Sequence, residues 1–143
     1  MDSVKRVISG TWGQVWLSGE LVGECYGLQA KVSYNKEEIS LCGQMGVDSK
    51  VKSYKGTASL RIHKVSTRMG AAVSGEIRNG KDVRFTVISK LADPDSYGTE
   101  RVALKNVSFD DLILADWEAE NLGKVECPFT FTDYEYLDQI EVR

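Results

Sequence analysis

The stretch Val125–Phe131, VECPFTF, constrains the fold of this chain more than any other. Val125, Cys127, Phe129 and Phe131 alternate with Glu126, Pro128 and Thr130. Side chains leave an extended chain on opposite faces in turn, so a period of two marks a β-strand with one apolar face. Pro128 has no N–H to give to a ladder, which predicts a sheet edge or a bulge at that point. An edge strand with so aromatic a face needs a partner, within the fold or from another chain. Two runs upstream also read as strands, the second with both faces covered. Val102 and Leu104 share a face against Arg101, Ala103 and Lys105, and Leu112 and Leu114 alternate with Ile113 and Ala115.

The remaining strands follow from the same alternation. In Thr11–Glu24, Trp12, Gln14 and Trp16 oppose Val15 and Leu17, and Ser18-Gly19 is a two-residue hairpin turn before a return strand at Glu20–Val22. The tryptophans are read as packing residues rather than a ligand platform. Leu28, Ala30 and Val32 define the face of a strand region running from Tyr26 to Leu41, with a possible turn at Asn35-Lys36. Ala58, Leu60 and Ile62 define another within Gly56–Val65, and Val83, Phe85 and Val87 a third within Val83–Leu91. The turn cluster Ala92–Glu100 then makes an antiparallel hairpin of Val83–Leu91 and the strand beginning GTERV.

Two segments break the pattern. Residues Gly43, Gln44, Met45, Gly46, Val47, Asp48, Ser49, Lys50, Val51, Lys52, Ser53, Tyr54 and Lys55 are polar, contain two glycines and show no hydrophobic period. They are expected to form a long loop, either a solvated hairpin tip or a functional element, since structureless loops of this length are uncommon in compact domains. Met69, Ala72, Val73 and Ile77 recur at helical spacing, with Ser66 or Thr67 as cap and Asn79-Gly80 as stop. They predict a helix over about 67–79, flanking the sheet. The expected fold is therefore all-β, a mostly antiparallel sandwich or small barrel with one flanking α-helix, in a single domain over residues 1–143.

The composition excludes more than it selects. A chain of 143 residues is long enough to bury a core without staples. No apolar run approaches the length of a membrane helix, and no signal peptide is evident. Cys25, Cys42 and Cys127 are widely spaced and contain no CxxC, so they read as buried thiols in a reducing cytoplasm. The single histidine, His63, has no ligand or base partner at useful spacing, so no metal and no cofactor are expected. Asp116, Glu118 and Glu120 lack the pattern of a calcium loop and read as a solvated turn. No nucleophile elbow, P-loop, dinucleotide fingerprint or HExxH occurs, and neither Glu37-Glu38 nor Asp110-Asp111 makes a dyad, so the chain is not expected to be an enzyme. A net charge of −3 argues against a protein that grips phosphates.

Gly98–Asp110, GTERVALKNVSFD, and Glu126–Tyr136, ECPFTFTDYEY, resemble the tail tube proteins of contractile phage-like particles, in particular the PBSX-type prophage tubes and the related tubes of R-type bacteriocins and diffocins. The resemblance extends over nearly the whole chain, with its specific motifs in these two segments. It implies a structural protein that assembles into hexameric rings, with inner hairpins joined into a β-wall around a lumen and rings stacked into a hollow tube. The tube would conduct DNA or ions through a target envelope. It further implies that the long loop at Gly43–Lys55 reaches the adjoining ring. The implied partners are further copies of the chain, a sheath, a baseplate, a tape measure and a tail terminator, with DNA only as non-specific cargo and no membrane insertion. The protein would be made in the bacterial cytoplasm and end in the virion or tail-like particle. By this reading the polar faces of two hairpins, Ala30–Leu41 with Gly56–Val65 and Val83–Leu91 with Glu100–Val107, are the candidates to line the lumen, and the negative charge would let DNA slide. The alternative left by the residues alone is a small-molecule-binding β-barrel, in which Trp12, Trp16 and Trp117 would line an apolar pocket.

Overall fold

The computed structural model describes residues 2–63, 80, 84–111 and 118–140. The helix expected over 67–79, the Leu112–Ala115 run and Trp117 lie outside the described residues. The chain starts with one helical turn, α1 (Asp2–Lys5), and a 3-10 turn at Gly10–Trp12. Among the described residues eight strands follow: β1 (Gly13–Leu17), β2 (Glu20–Leu21), β3 (Cys25–Ser40), β4 (Val47–His63), β5 (Phe85–Leu91), β6 (Glu100–Phe109), β7 (Lys124–Phe131) and β8 (Asp133–Asp138). All pairings are antiparallel. The strand order is β2-β1-β5-β6-β7-β4-β3, and β8 also pairs with β6.

The sheet folds onto itself at one corner. β6 pairs with β8 from Arg101 to Lys105, then with β7 at Ser108 and Phe109. Asn106 takes a positive φ of 58° where this switch occurs, and its Nδ2 donates to Thr132 Oγ1 at 2.9 Å. Thr132 is the bend that separates β7 from β8, and its N–H donates to the Lys105 carbonyl at 3.3 Å. Two strands thus bend together, with an Asn where left-handed backbone is least costly for a residue bearing a side chain. The two parts of the sheet share one core: Val15, Val87, Leu104 and Val107 from one, Leu60, Ile62, Cys127, Phe129 and Phe131 from the other. Phe129 is fully buried and stacks edge-on against Phe109, which stacks against Phe85.

The all-β expectation holds, in its open form. β2 and β3 are the two ends of the strand order, and among the described residues they do not pair, so the sheet is not a closed barrel. The Ser18-Gly19 hairpin is present, with φ of 49° and 90° suiting the twist of a two-residue turn. β7 has the expected alternation but is not an edge strand, since it lies between β4 and β6 in the strand order. Pro128 is tolerated because its carbonyl accepts from Asp110 N–H at 2.9 Å, just beyond the end of β6. The N and carbonyl of one strand residue point the same way, so the missing N–H faces that margin and not β4.

Candidate assembly surface: an arm with two open edges

β3 and β4 pair from Cys25↔Ile62 to Ser40↔Val47, with register shifts between Cys25 and Gly27 and between Asn35 and Lys36. Only the first half of this hairpin belongs to the body. β4 pairs with β7 from Gly56 to His63, and Lys55 is the first residue past that pairing. From there the two strands run on as a ribbon, residues 33–55, with every residue exposed. Eight residues of strand at about 3.3 Å each carry the arm roughly 25 Å beyond the body. Among the described residues, no strand pairs with the outer edge of β3, and none pairs with the outer edge of β4 beyond Gly56. The arm therefore presents two rows of unpaired backbone N–H and C=O groups.

The expected loop at Gly43–Lys55 is corrected here. Val47–Lys55 is strand, and the turn is confined to residues 41–46, with Gly43 at φ 83°. The segment lacks a hydrophobic period because it is exposed on both faces. Its extended form comes from cross-strand pairing with β3, which alternation cannot report. Charges also pair across it: Glu37 sits opposite Lys50, and Lys52 Nζ lies 3.7 Å from a Glu37 carboxylate oxygen. Within the arm the register slips once, between Asn35 and Lys36, leaving Lys52 as the extra residue of a bulge. The tip is apolar, with Leu41, Met45 and Val47 exposed.

A tyrosine bracket holds the root of the arm. Tyr34 and Tyr54 face each other across the hairpin, and Tyr134 and Tyr136 approach from β8. Tyr54 Oη donates to the Thr132 carbonyl at 2.8 Å, and the Tyr34 phenol lies beside Tyr134. The adjacent Tyr34 phenol, a second group that would become an anion beside it, pushes the Tyr134 phenol above its ordinary pKa. Below the bracket, Val32, Gly56 and Phe131 form one cross-strand row. The Phe131 ring lies over Gly56, so close that a Cβ there would sit 2.4 Å from it. The sequence places Tyr54 in the expected loop and Tyr134 and Tyr136 in the ECPFTFTDYEY motif, but does not bring the four tyrosines together. The signal available was their parity: Tyr34 shares a face with Leu28, Ala30 and Val32.

The hairpin has a second, polar face. Gln29, Lys31, Ser33 and Asn35 lie opposite Ser59, Thr57, Lys55 and Ser53. Ser59 Oγ donates to Glu126 Oε1 at 2.7 Å, which extends this face onto β7. The corresponding face of β5–β6 is different, because Ala103 on it is only 4% exposed. The cysteines also differ from one another. Cys127 is buried, Cys25 half-buried and Cys42 exposed near the arm tip, which corrects the expectation that all three are buried. Burial pushes the Cys25 and Cys127 thiols up. Among the described residues no group of His, Cys, Asp and Glu side chains is placed to hold a metal ion, and His63 is stacked on Tyr26.

These features have counterparts in known proteins. The family profile of the phage tail tube proteins matches residues 2–138. YqbM of Bacillus subtilis strain 168 is 32% identical over 140 residues, 96% of this chain and 95% of that one. The phage-like element PBSX protein XkdM of the same strain is 32% identical over 139 residues, 95% of this chain and 94% of that one. Among solved structures, a chain of an extracellular contractile injection system, the PVC sheath–tube complex in its extended state, superposes with a TM-score of 0.73 at 11% identity, covering 90% of each chain. With its fold, its projecting β-arm and these relatives, the chain belongs to the phage tail tube protein family.

Proposed function

We propose that this protein forms the inner tube of a contractile tail or tail-like particle by ring formation and stacking. Copies join into a hexameric ring in which the outer edge of β3 in one copy pairs with the outer edge of the β4 arm in the next. Both strands of the arm thereby gain a neighbour, and the ring closes a wall that no single copy can close. The polar β3–β4 face, with Gln29, Ser33, Ser53, Thr57 and Ser59, lines the lumen. The polar face of β5–β6, with Thr86, Lys90, Arg101 and Lys105 accessible, is the second candidate to line it. The lumen conducts DNA or ions without gripping them. Residues 43–55, the tip and the β4 side of the arm, reach the adjoining ring, so that rings stack head to tail.

A head-to-tail contact that does not close on itself makes a filament. About six inter-ring contacts of roughly 2 kcal/mol each, taken as additive, sum to about 12 kcal/mol, comparable to nanomolar binding. A sheath around the tube, a baseplate beneath it, a tape measure within it and a terminator above it are the partners this role requires. The chain would be made in the bacterial cytoplasm and act without catalysing a reaction.

The observation that carries this reading is the arm with two unpaired edges. Negative-stain electron microscopy of the purified chain, with light scattering on the same sample and with baseplate added as seed, tests it. Rings or tubes of uniform width with a central hole are expected. A monomer that stays monomeric in the presence of the baseplate refutes it.

A further inference from the structure

The arm ends in an apolar knob, and the body has a cleft at the opposite end of the same strand. Leu41, Met45 and Val47 are exposed at the tip, with Met45 completely so. Glu38 and Asp48 lie on the strands just below, opposite Ser49 and Ile39. The cleft, of about 570 Å³, is formed where β1 and the start of β3 approach one another. Gly10, Thr11, Val15, Leu28 and Leu91 contribute to its walls, and Arg61 and Lys90 bring positive charge to it, offset in part by Glu100. From Leu28 to Ser40 the strand rise gives about 40 Å between cleft and tip. An exposed methionine suits an irregular recess of mixed lining, because its unbranched side chain adapts to the shape it meets.

We propose that the cleft is the socket for the arm tip of a second copy in the adjoining ring. This rests on the stacking reading above and specifies its contact. Met45 enters the recess, Leu41 and Val47 cover its rim, and Glu38 and Asp48 meet Arg61 and Lys90. The knob and the socket lie at opposite ends of one hairpin, so each copy donates upward and accepts from below. Charge complementarity between the acidic collar of the tip and the basic side of the cleft favours this occupant over a neutral ligand.

Charge reversal on full-length protein under tube-forming conditions tests the contact. Asp48→Lys and Lys90→Glu are each expected to leave the subunit folded and the rings intact but to shorten the tubes. A threefold loss per exposed pair, compounded over about six contacts, lowers ring–ring affinity by roughly 700-fold. The double reversal is expected to recover long tubes. Single variants that stack like the unmodified protein, or a double variant no better than the singles, overturn the socket. As an independent readout, Gly10→Cys with Met45→Cys, in a background with Cys25 and Cys42 changed to serine, is expected to give a reducible multimer ladder on oxidation of assembled tubes. A side chain at Gly10 meets nothing within 4 Å, so that substitution is not strained. Tubes that form but yield no peptide joining residues 10 and 45 refute the socket while leaving stacking in place. Failure of the unmodified protein to form any tube with seed removes the stacking reading itself.

Discussion

Gly56→Ala is a one-carbon change with a large expected effect. The added Cβ would lie 2.4 Å from Phe131 Cε2 and 2.5 Å from Cδ2. Phe131 is 3% exposed and closes the row Val32–Gly56–Phe131, so its ring has nowhere to swing without displacing core neighbours. Forcing a methyl into such a site costs about 1–3 kcal/mol. Alanine returns roughly 0.4–1 kcal/mol by restricting the unfolded chain. The net loss is about 1–2 kcal/mol, or about 4–8 °C in melting temperature at roughly 4 °C per kcal/mol for a chain of this size. Thermal and urea unfolding of Gly56→Ala, Phe131→Leu and the double variant measure it. The clash disappears with the shorter side chain, so the double variant is expected to be more stable than the sum of the singles by at least about 1 kcal/mol. Strict additivity, or a Gly56→Ala variant as stable as the unmodified protein, would show that the ring is free to move and that glycine is not required there.

Phe129→Ala removes a fully buried ring and is expected to destabilise by about 3–5 kcal/mol in urea titration, more than any exposed-arm substitution. Thiol labelling of the native protein is expected to modify Cys42 first and Cys127 last, because Cys42 is exposed whereas Cys127 is buried and its thiol is pushed up; equal rates would contradict that order. The Tyr134 phenol is held above its ordinary pKa in the folded protein, so its contribution to stability is complete below the ordinary phenol range near pH 10 and is lost as pH rises through the raised value. Phenolate absorbance is expected to show one late-titrating tyrosine that returns toward the ordinary range in Tyr34→Phe. Replacing residues 41–46 by a short polar turn is expected to leave the subunit melting temperature unchanged and to abolish stacking, read by microscopy; long tubes from that variant would show that the tip is not a contact.

Legibility in the sequence followed burial contrast. β5, β6 and β7 each have one face in the core, and their alternation was plain from Val87, Leu104 and Phe129. The hairpin at Ser18-Gly19 was equally plain, because positive φ at two consecutive positions favours few residues. The arm was misread because residues 47–55 have water on both faces, so their composition carries no period even though the backbone is fully extended. Pro128 was read correctly as a missing donor, but the edge it implied is local, since only the margin beyond Phe109 is open. The motifs GTERV and PFTF pointed to the family. The bracket of Tyr34, Tyr54, Tyr134 and Tyr136 joins residues far apart in the chain, and no local spacing announces it.

The slender arm also bears on when a tube can begin. A two-stranded ribbon without a third strand or a packed face is marginal in water. In a free subunit, among the described residues, the bracket at its root is the arm's tertiary anchor, so the rest of the arm is expected to be steadied further by association. In the ring arrangement proposed above, the first copies to meet lose that conformational freedom with few contacts in return, whereas a copy joining a finished ring finds one edge already straight. Such a chain has a slow start and a fast continuation. Tube number is then set by how many templates are present, and tube length by how long growth continues.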